Sequence, residues 1–195
     1  MAKLYFSYAA MNAGKSTLLL QAAYNYRERG MDVLLLTSAL YRDAEDGQIS
    51  SRIGISADAT LYTGETDLYG LIEDHKRRHR LDAVFVDEAQ FLTKDQVWQL
   101  ARVADHIGIP VLTYGLRTDF RGELFEGSAA LLAIADSLRE ARTICECGRK
   151  ATMVVRLGPD GKALTEGDQI SIAKSTYVSL CRRHWEEQMG RFPPE

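Results

Sequence analysis

The stretch Ala9-Ala10-Met11-Asn12-Ala13-Gly14-Lys15-Ser16-Thr17 constrains this chain more than any other, because of what flanks it. Before it stands a short apolar run, Leu4-Tyr5-Phe6-Ser7-Tyr8; after it, apolar residues recur at helical spacing. The order is that of strand, loop and helix. A loop so placed wraps polyphosphate with main-chain N–H groups at the positive end of the helix. It also sets a lysine ammonium on the outer phosphates and offers a hydroxyl to Mg²⁺, and Lys15 and Ser16 suit those two roles. Of the pattern G-x-x-x-x-G-K-[ST], Gly14-Lys15-Ser16 is intact and Ala9 replaces the first glycine. The flanking strand and helix therefore carry as much of the reading as the motif; alone, G-K-S also fits an ordinary solvated helix start.

From Ser16 to Gly30, Leu19, Ala22, Ala23 and Tyr26 fall on one helical face, and Gly30 supplies a left-handed stop. Val33-Leu34-Leu35-Leu36 reads as a parallel strand covered on both faces. Residues 38–60 form a polar excursion in which Arg42 and Arg52 are either phosphate contacts or solvated charges. A helix is predicted from Asp67 to Arg80, with cations in its last turn that suit the negative end of its dipole. Ala83-Val84-Phe85-Val86 is the next buried strand. Thr93-Lys94-Asp95-Gln96 offers a capping box for a helix stopped near Gly108, and Ile109 to Tyr114 is another strand. A helix from about Ser128 to Glu140 follows. This alternation predicts an α/β fold, a mostly parallel sheet with helices on both faces. After Arg142 the character changes to short β-like runs, a Gly158-Pro159-Asp160-Gly161 turn and all three cysteines. A division into residues 1–141 and a small metal-tied appendage, 142–195, is expected.

Two further constellations carry chemistry. Asp87 closes an apolar strand downstream of the loop, where a carboxylate can hold Mg²⁺ through water, and Glu88 follows at once. Alternation along a strand would send the two carboxylates to different tasks: one toward the metal, the other toward a nucleophile, whether a water or a substrate hydroxyl. Cys145-Glu146-Cys147 and Cys181-Arg182-Arg183-His184 together supply three sulfurs and one imidazole. That is a closed tetrahedral set for structural zinc, although C-x-C is tight spacing. A redox pair of Cys145 and Cys147, or unconnected thiols, are the alternatives. The net charge of −3 argues against a nucleic acid held by its phosphates and for a small substrate. The absence of a leader pattern, and of any apolar run near ~20 residues, predicts a cytoplasmic protein with no membrane contact.

With Met11–Ser16, Asp87-Glu88-Ala89-Gln90-Phe91, Tyr114-Gly115-Leu116-Arg117-Thr118-Asp119-Phe120-Arg121 and both knuckles in order, the chain resembles the bacterial thymidine kinases of the cytosolic, zinc-containing type. The resemblance implies a P-loop, RecA-like sheet with a small zinc-tied, β-rich C-terminal domain that covers the nucleoside. It implies ATP on Ala9, Ala10, Met11, Asn12, Ala13, Gly14, Lys15 and Ser16, with Asp87, Glu88, Ala89 and Gln90 beside it. Mg²⁺ would lie near Ser16 and Asp87, and Glu88 would be the base for the nucleoside 5′-hydroxyl. The segment between the knuckles, about Ala151 to Tyr177, would act as a lasso over the base. Met11, Phe91, Leu116, Phe120, Phe125 and Tyr177 would line the nucleoside pocket, although Phe120 and Phe125 also fit plain core. Cys145, Cys147, Cys181 and His184 would hold zinc. A homotetramer inhibited by thymidine triphosphate is likewise implied. Tyr41-Arg42 lacks the acidic residue that relatives often carry before this arginine. The rival reading is a P-loop ATPase or switch protein acting on a protein or nucleic-acid partner, which would need an interaction surface instead of an enclosing lasso.

Overall fold

The computed structural model describes residues 1–40, 47–170 and 176–191. Its centre is a six-stranded sheet of β1 (Leu4–Ala9), β2 (Val33–Ser38), β5 (Thr60–Tyr62), β6 (Ala83–Val86), β7 (Val111–Leu116) and β8 (Ser137–Glu140). The strand order is β5-β2-β6-β7-β1-β8. Each neighbouring pair is parallel, in registers such as Phe6↔Thr113 and Leu35↔Phe85. Parallel strands need both faces covered, and the near-continuous apolar runs meet that need by alternation. Leu34, Leu36, Val84 and Val86 pack with α2 (Leu68–Arg78), α3 (Lys94–Arg102) and α4 (Glu126–Ile134). Leu35, Ala83 and Phe85 pack with Leu19, Leu20 and Ala23 of α1 (Lys15–Glu28).

From Gly47 onward the excursion after β2 holds regular structure that its polarity does not suggest. A short antiparallel hairpin, β3 (Gln48–Ser50) and β4 (Ser56–Asp58), seats Ile49 against the α1 side, and β5 then joins the sheet edge. Arg42 lies outside the described residues. The capping box on α3 is formed: the Thr93 hydroxyl accepts from Gln96 N–H while the Gln96 side chain accepts from Thr93 N–H. The basic end of α2 is largely engaged nearby. Arg77 pairs with Glu73 and Asp74, Arg80 with Asp82, and Lys76 donates to the Ile107 carbonyl at 2.9 Å.

One predicted element is corrected. The helix expected over about Ser128 to Glu140 ends at Ile134, and Ser137–Glu140 is instead the sixth strand, paired with β1. The switch is made at Asp136, whose N–H donates to the Leu4 carbonyl at 2.9 Å while its carboxylate accepts from Leu4 N–H at 2.8 Å. That reciprocal pair captures the chain for the sheet edge.

Beyond β8 the chain forms β9 (Thr143–Ile144) with β10 (Lys150–Ala151), then β11 (Met153–Leu157) antiparallel to β12 (Thr176–Leu180), and α5 (Arg182–Gln188). Cys145, Ala151, Val155, Leu180, Cys181, Trp185 and Met189 make a small core of their own. Trp185 fixes this unit to the rest, its indole N–H shared between the carbonyls of Phe120, 3.0 Å, and Val154, 3.1 Å.

Candidate active site

The site forms at the carboxyl ends of the parallel strands, where loops leave the sheet together. Ala9 is the last residue of β1, in register with Leu116, so this position is extended and has no need of glycine. The left-handed conformations fall later, at Asn12 (φ 62°) and Gly14 (φ 76°), residue types that accept them. Lys15 is buried. Desolvation pulls its ammonium below the ordinary lysine range, and the nearby Glu88 and Asp87 carboxylates oppose that shift. The Ser16 hydroxyl donates to Asp87 Oδ2 at 2.8 Å. Asp87 Oδ1 is buried without a partner among the described residues, and burial holds this carboxyl above its usual range against the Ser16 bond.

Glu88 stands at φ 51°, past the end of β6. The two carboxylates therefore diverge through a left-handed turn rather than through strand alternation. Such a conformation costs a non-glycine residue about 1 kcal/mol or more and persists where its surroundings fix it. Here the Tyr62 hydroxyl donates to the Glu88 carbonyl at 3.0 Å, and the Gln90 amide donates to the Glu88 carboxylate. Gln90 Oε1 accepts from Leu116 N–H at 3.0 Å, which ties the turn to β7. The first turn of α4 closes from the other side so tightly that a Cβ on Gly127 would lie 2.6 Å from the Ala89 carbonyl oxygen.

Above these groups opens a cavity of about 440 Å³. One end is the loop Met11, Asn12, Gly14, Lys15 and Ser16 with Ser51 and Arg52. The other is aromatic and apolar, with Phe91, Leu116, Phe120, Phe125, Val154, Ile170 and Tyr177. Phe91 and Phe125 meet edge to face, ring centroids 6.0 Å apart. Residues after β8 cover this end. The Ser179 hydroxyl donates to the Met11 carbonyl, Arg117 donates to the Thr152 carbonyl at 3.1 Å, and the Gln169 amide donates to Asp119 at 3.2 Å.

Cys145, Cys147, Cys181 and His184 converge until their ligand atoms all lie within 4.8 Å of one another. Cys145 Sγ is 3.3 Å from His184 Nδ1, and Cys147 Sγ is 3.9 Å from Cys181 Sγ. Tetrahedral Zn²⁺ would separate such atoms by about 3.5–3.8 Å. Burial raises the Cys145 thiol, but N–H bonds from Cys147 and Cys181, with the His184 and Cys147 side chains, outweigh it and bring the thiol down to about 6. The donor set fits zinc, and the three cysteines form no disulfide.

The family model described as Thymidine kinase matches residues 2–185 of this chain. The chain belongs to the thymidine kinase family. Among curated relatives, the "Thymidine kinase" of Mesorhizobium japonicum is 62% identical over 195 residues, covering 100% of this chain and 96% of its own. That of Rhizobium meliloti is 63% identical over 192 residues, 97% of this chain and 98% of its own. That of Haemophilus influenzae is 55% identical over 192 residues, covering 98% and 100%.

In this thymidine kinase family member, Met11, Asn12, Gly14, Lys15, Ser16, Glu88, Gln90, Phe91, Leu116, Phe120, Phe125 and Tyr177 all line the one cavity. Ala9, Ala10, Ala13, Asp87 and Ala89 do not. Asp87 is joined to the site through Ser16, Ala9 through the end of β1, and the other alanines through loop and turn main chain. Phe120 and Phe125 are both buried core and cavity wall. Of the two candidate phosphate arginines, Arg52 reaches the cavity. Sequence reasoning did not single out Ser51, Asp119, Val154, Gln169 or Ile170. They sit in loops and on β11, where no local spacing marks them.

Proposed function

We propose that this chain is an ATP-dependent thymidine kinase that transfers the γ-phosphate to the 5′-hydroxyl of thymidine, giving the monophosphate and ADP. The observation that carries this reading is the pairing, in one cavity, of a charged end (Lys15, with Ser16 bonded to Asp87) and an aromatic end of nucleoside size. Residues Asn12–Ser16 offer their N–H groups to the polyphosphate, and buried Lys15 neutralises charge on the transferring group. Glu88, held by its left-handed turn and by Gln90, accepts the proton from the attacking hydroxyl. The orphaned Asp87 Oδ1 beside the Ser16 hydroxyl fits Mg²⁺. There the ion would neutralise charge on the phosphates. Zinc would fasten the ends of the segment from Cys145 to His184, which is the cover of the nucleoside, so that residues 142–195 act as a lasso domain on the 1–141 body. A cytoplasmic homotetramer, restrained by thymidine triphosphate reaching along the same cavity, completes the reading and is supported by the family resemblance.

The test supplies magnesium ATP with thymidine, deoxyuridine, deoxycytidine or no nucleoside and follows both ADP and monophosphate. The expected result is thymidine-dependent ADP release matched by monophosphate, weak discrimination against deoxyuridine, about 1–3 kcal/mol, and rejection of deoxycytidine, whose donor and acceptor pattern is reversed. Glu88→Gln should lose about 10²–10⁴-fold in turnover. ADP released at an equal rate without nucleoside would instead support the rival ATPase or switch.

A further inference from the structure

A buried cation with no role in phosphate chemistry stands behind the aromatic end of the cavity. Arg156, on β11, is 5% exposed, and among the described residues no carboxylate lies within ion-pair distance of it. Its Nε is buried without a hydrogen-bond partner there. Placing an unpaired guanidinium in such a site is costly, and an aliphatic side chain of similar length would fill the space without that cost. The residue is explained by what its planar head does simultaneously on two sides.

On one side the guanidinium carbon stacks 3.9 Å from the ring centroid of Phe120, a cavity wall. On the other, Nη1 donates to the Asp168 carbonyl at 2.9 Å. Gly167 passes so close that a Cβ there would lie 2.4 Å from Nη2, and it carries φ 124°, a conformation side chains resist. The two residues after Asp168 are Gln169, which reaches across to Asp119, and Ile170; both line the cavity. Across the hairpin Arg156 faces Tyr177, another wall. One head group thus touches or neighbours three parts of the nucleoside end: ring, covering arm and cross-strand tyrosine.

We propose that Arg156 is the positioning residue of the nucleoside end, clamping the 164–170 arm against Phe120 so that the base meets a preformed wall. It acts through Phe120, Gln169 and Ile170, without touching substrate. The inference rests on the nucleoside-kinase reading above. Lysine cannot replace it, because an ammonium lacks the planar fork that stacks and donates at once.

The test measures kcat, the KM for thymidine and the KM for ATP in wild type, Arg156→Gln, Arg156→Lys and Gly167→Ala, with melting temperature and zinc content for each. Expected for both Arg156 variants is a thymidine KM raised about tenfold or more, the scale of a desolvated cation–aromatic contact, with kcat and ATP KM within about twofold and zinc retained. Gly167→Ala, which keeps the guanidinium but displaces the arm, should raise the same KM; if the Arg156 variants fail to fold, this variant decides. An unchanged thymidine KM, a loss confined to kcat, or full rescue by lysine would overturn the assignment. A wild-type protein inactive on thymidine would overturn the nucleoside-kinase reading itself, which the variants then have no part in judging.

Discussion

At the charged end of the cavity, Lys15 and Ser16 open α1 and Asp87 and Glu88 follow directly on β6, aimed by close bonds such as Ser16 to Asp87 at 2.8 Å. At the aromatic end, Val154, Gln169, Ile170 and Tyr177 come from a hairpin and arm hung between two cysteine knuckles and fixed to the body by a few long-range bonds, such as Trp185 to Phe120. The difference is one of task. Charge stabilisation in phosphoryl transfer needs groups held before the reaction and unmoved by it, so they are placed where the backbone is over-determined. On the proposed kinase reading a nucleoside must enter and leave, which suits walls carried by a separate cover.

This contrast can be broken by substitution. The largest effect is expected at Lys15: Lys15→Ala should lower kcat by about 10³-fold with little change in thymidine affinity, read by steady-state kinetics beside direct thymidine titration. Asp87→Asn should cost about 100-fold in activity yet leave the free protein more stable, by about 1 kcal/mol, as removal of a strained functional charge commonly does. The sign follows from burial: with the Asp87 carboxyl raised, its ionised form is disfavoured in the folded chain. Wild type therefore loses stability as pH rises from the ordinary aspartate value through the raised one, and the variant lacks that contribution; denaturant melts across pH read the difference. The smallest of the three concerns the cover. Chelation of zinc should raise the thymidine KM about tenfold, a loss near 1.4 kcal/mol, while β1, β6 and β7 keep their hydrogen-exchange protection.

The same contrast governs what the sequence alone makes legible. That the charged residues would meet was legible because their parts are local: Gly14-Lys15-Ser16 opens a helix, and Asp87-Glu88 directly follows a uniformly apolar strand. The cysteine and histidine cluster was legible by its donor chemistry, although nothing local shows that Cys145 and His184 meet at 3.3 Å. The sixth strand was not. Ser137-Leu138-Arg139-Glu140 is an edge segment with one large apolar residue, and what ends the helix before it is the Asp136 pairing with Leu4, 132 positions away. Glu88 was read as a strand residue because its left-handed turn is imposed by Tyr62, Gln90 and the close approach of Gly127. Gln169 and Ile170 escaped for a similar reason, since the arm that carries them is placed by Arg156 and Asp119.

The most direct measurement is hydrogen exchange with thymidine alone and with magnesium ATP alone. Thymidine is expected to slow exchange in β11, β12 and around Gln169, whereas magnesium ATP slows it over Asn12–Ser16, each largely without the other. Identical protection by both ligands, or none by thymidine in β11, β12 and around Gln169, would contradict this division.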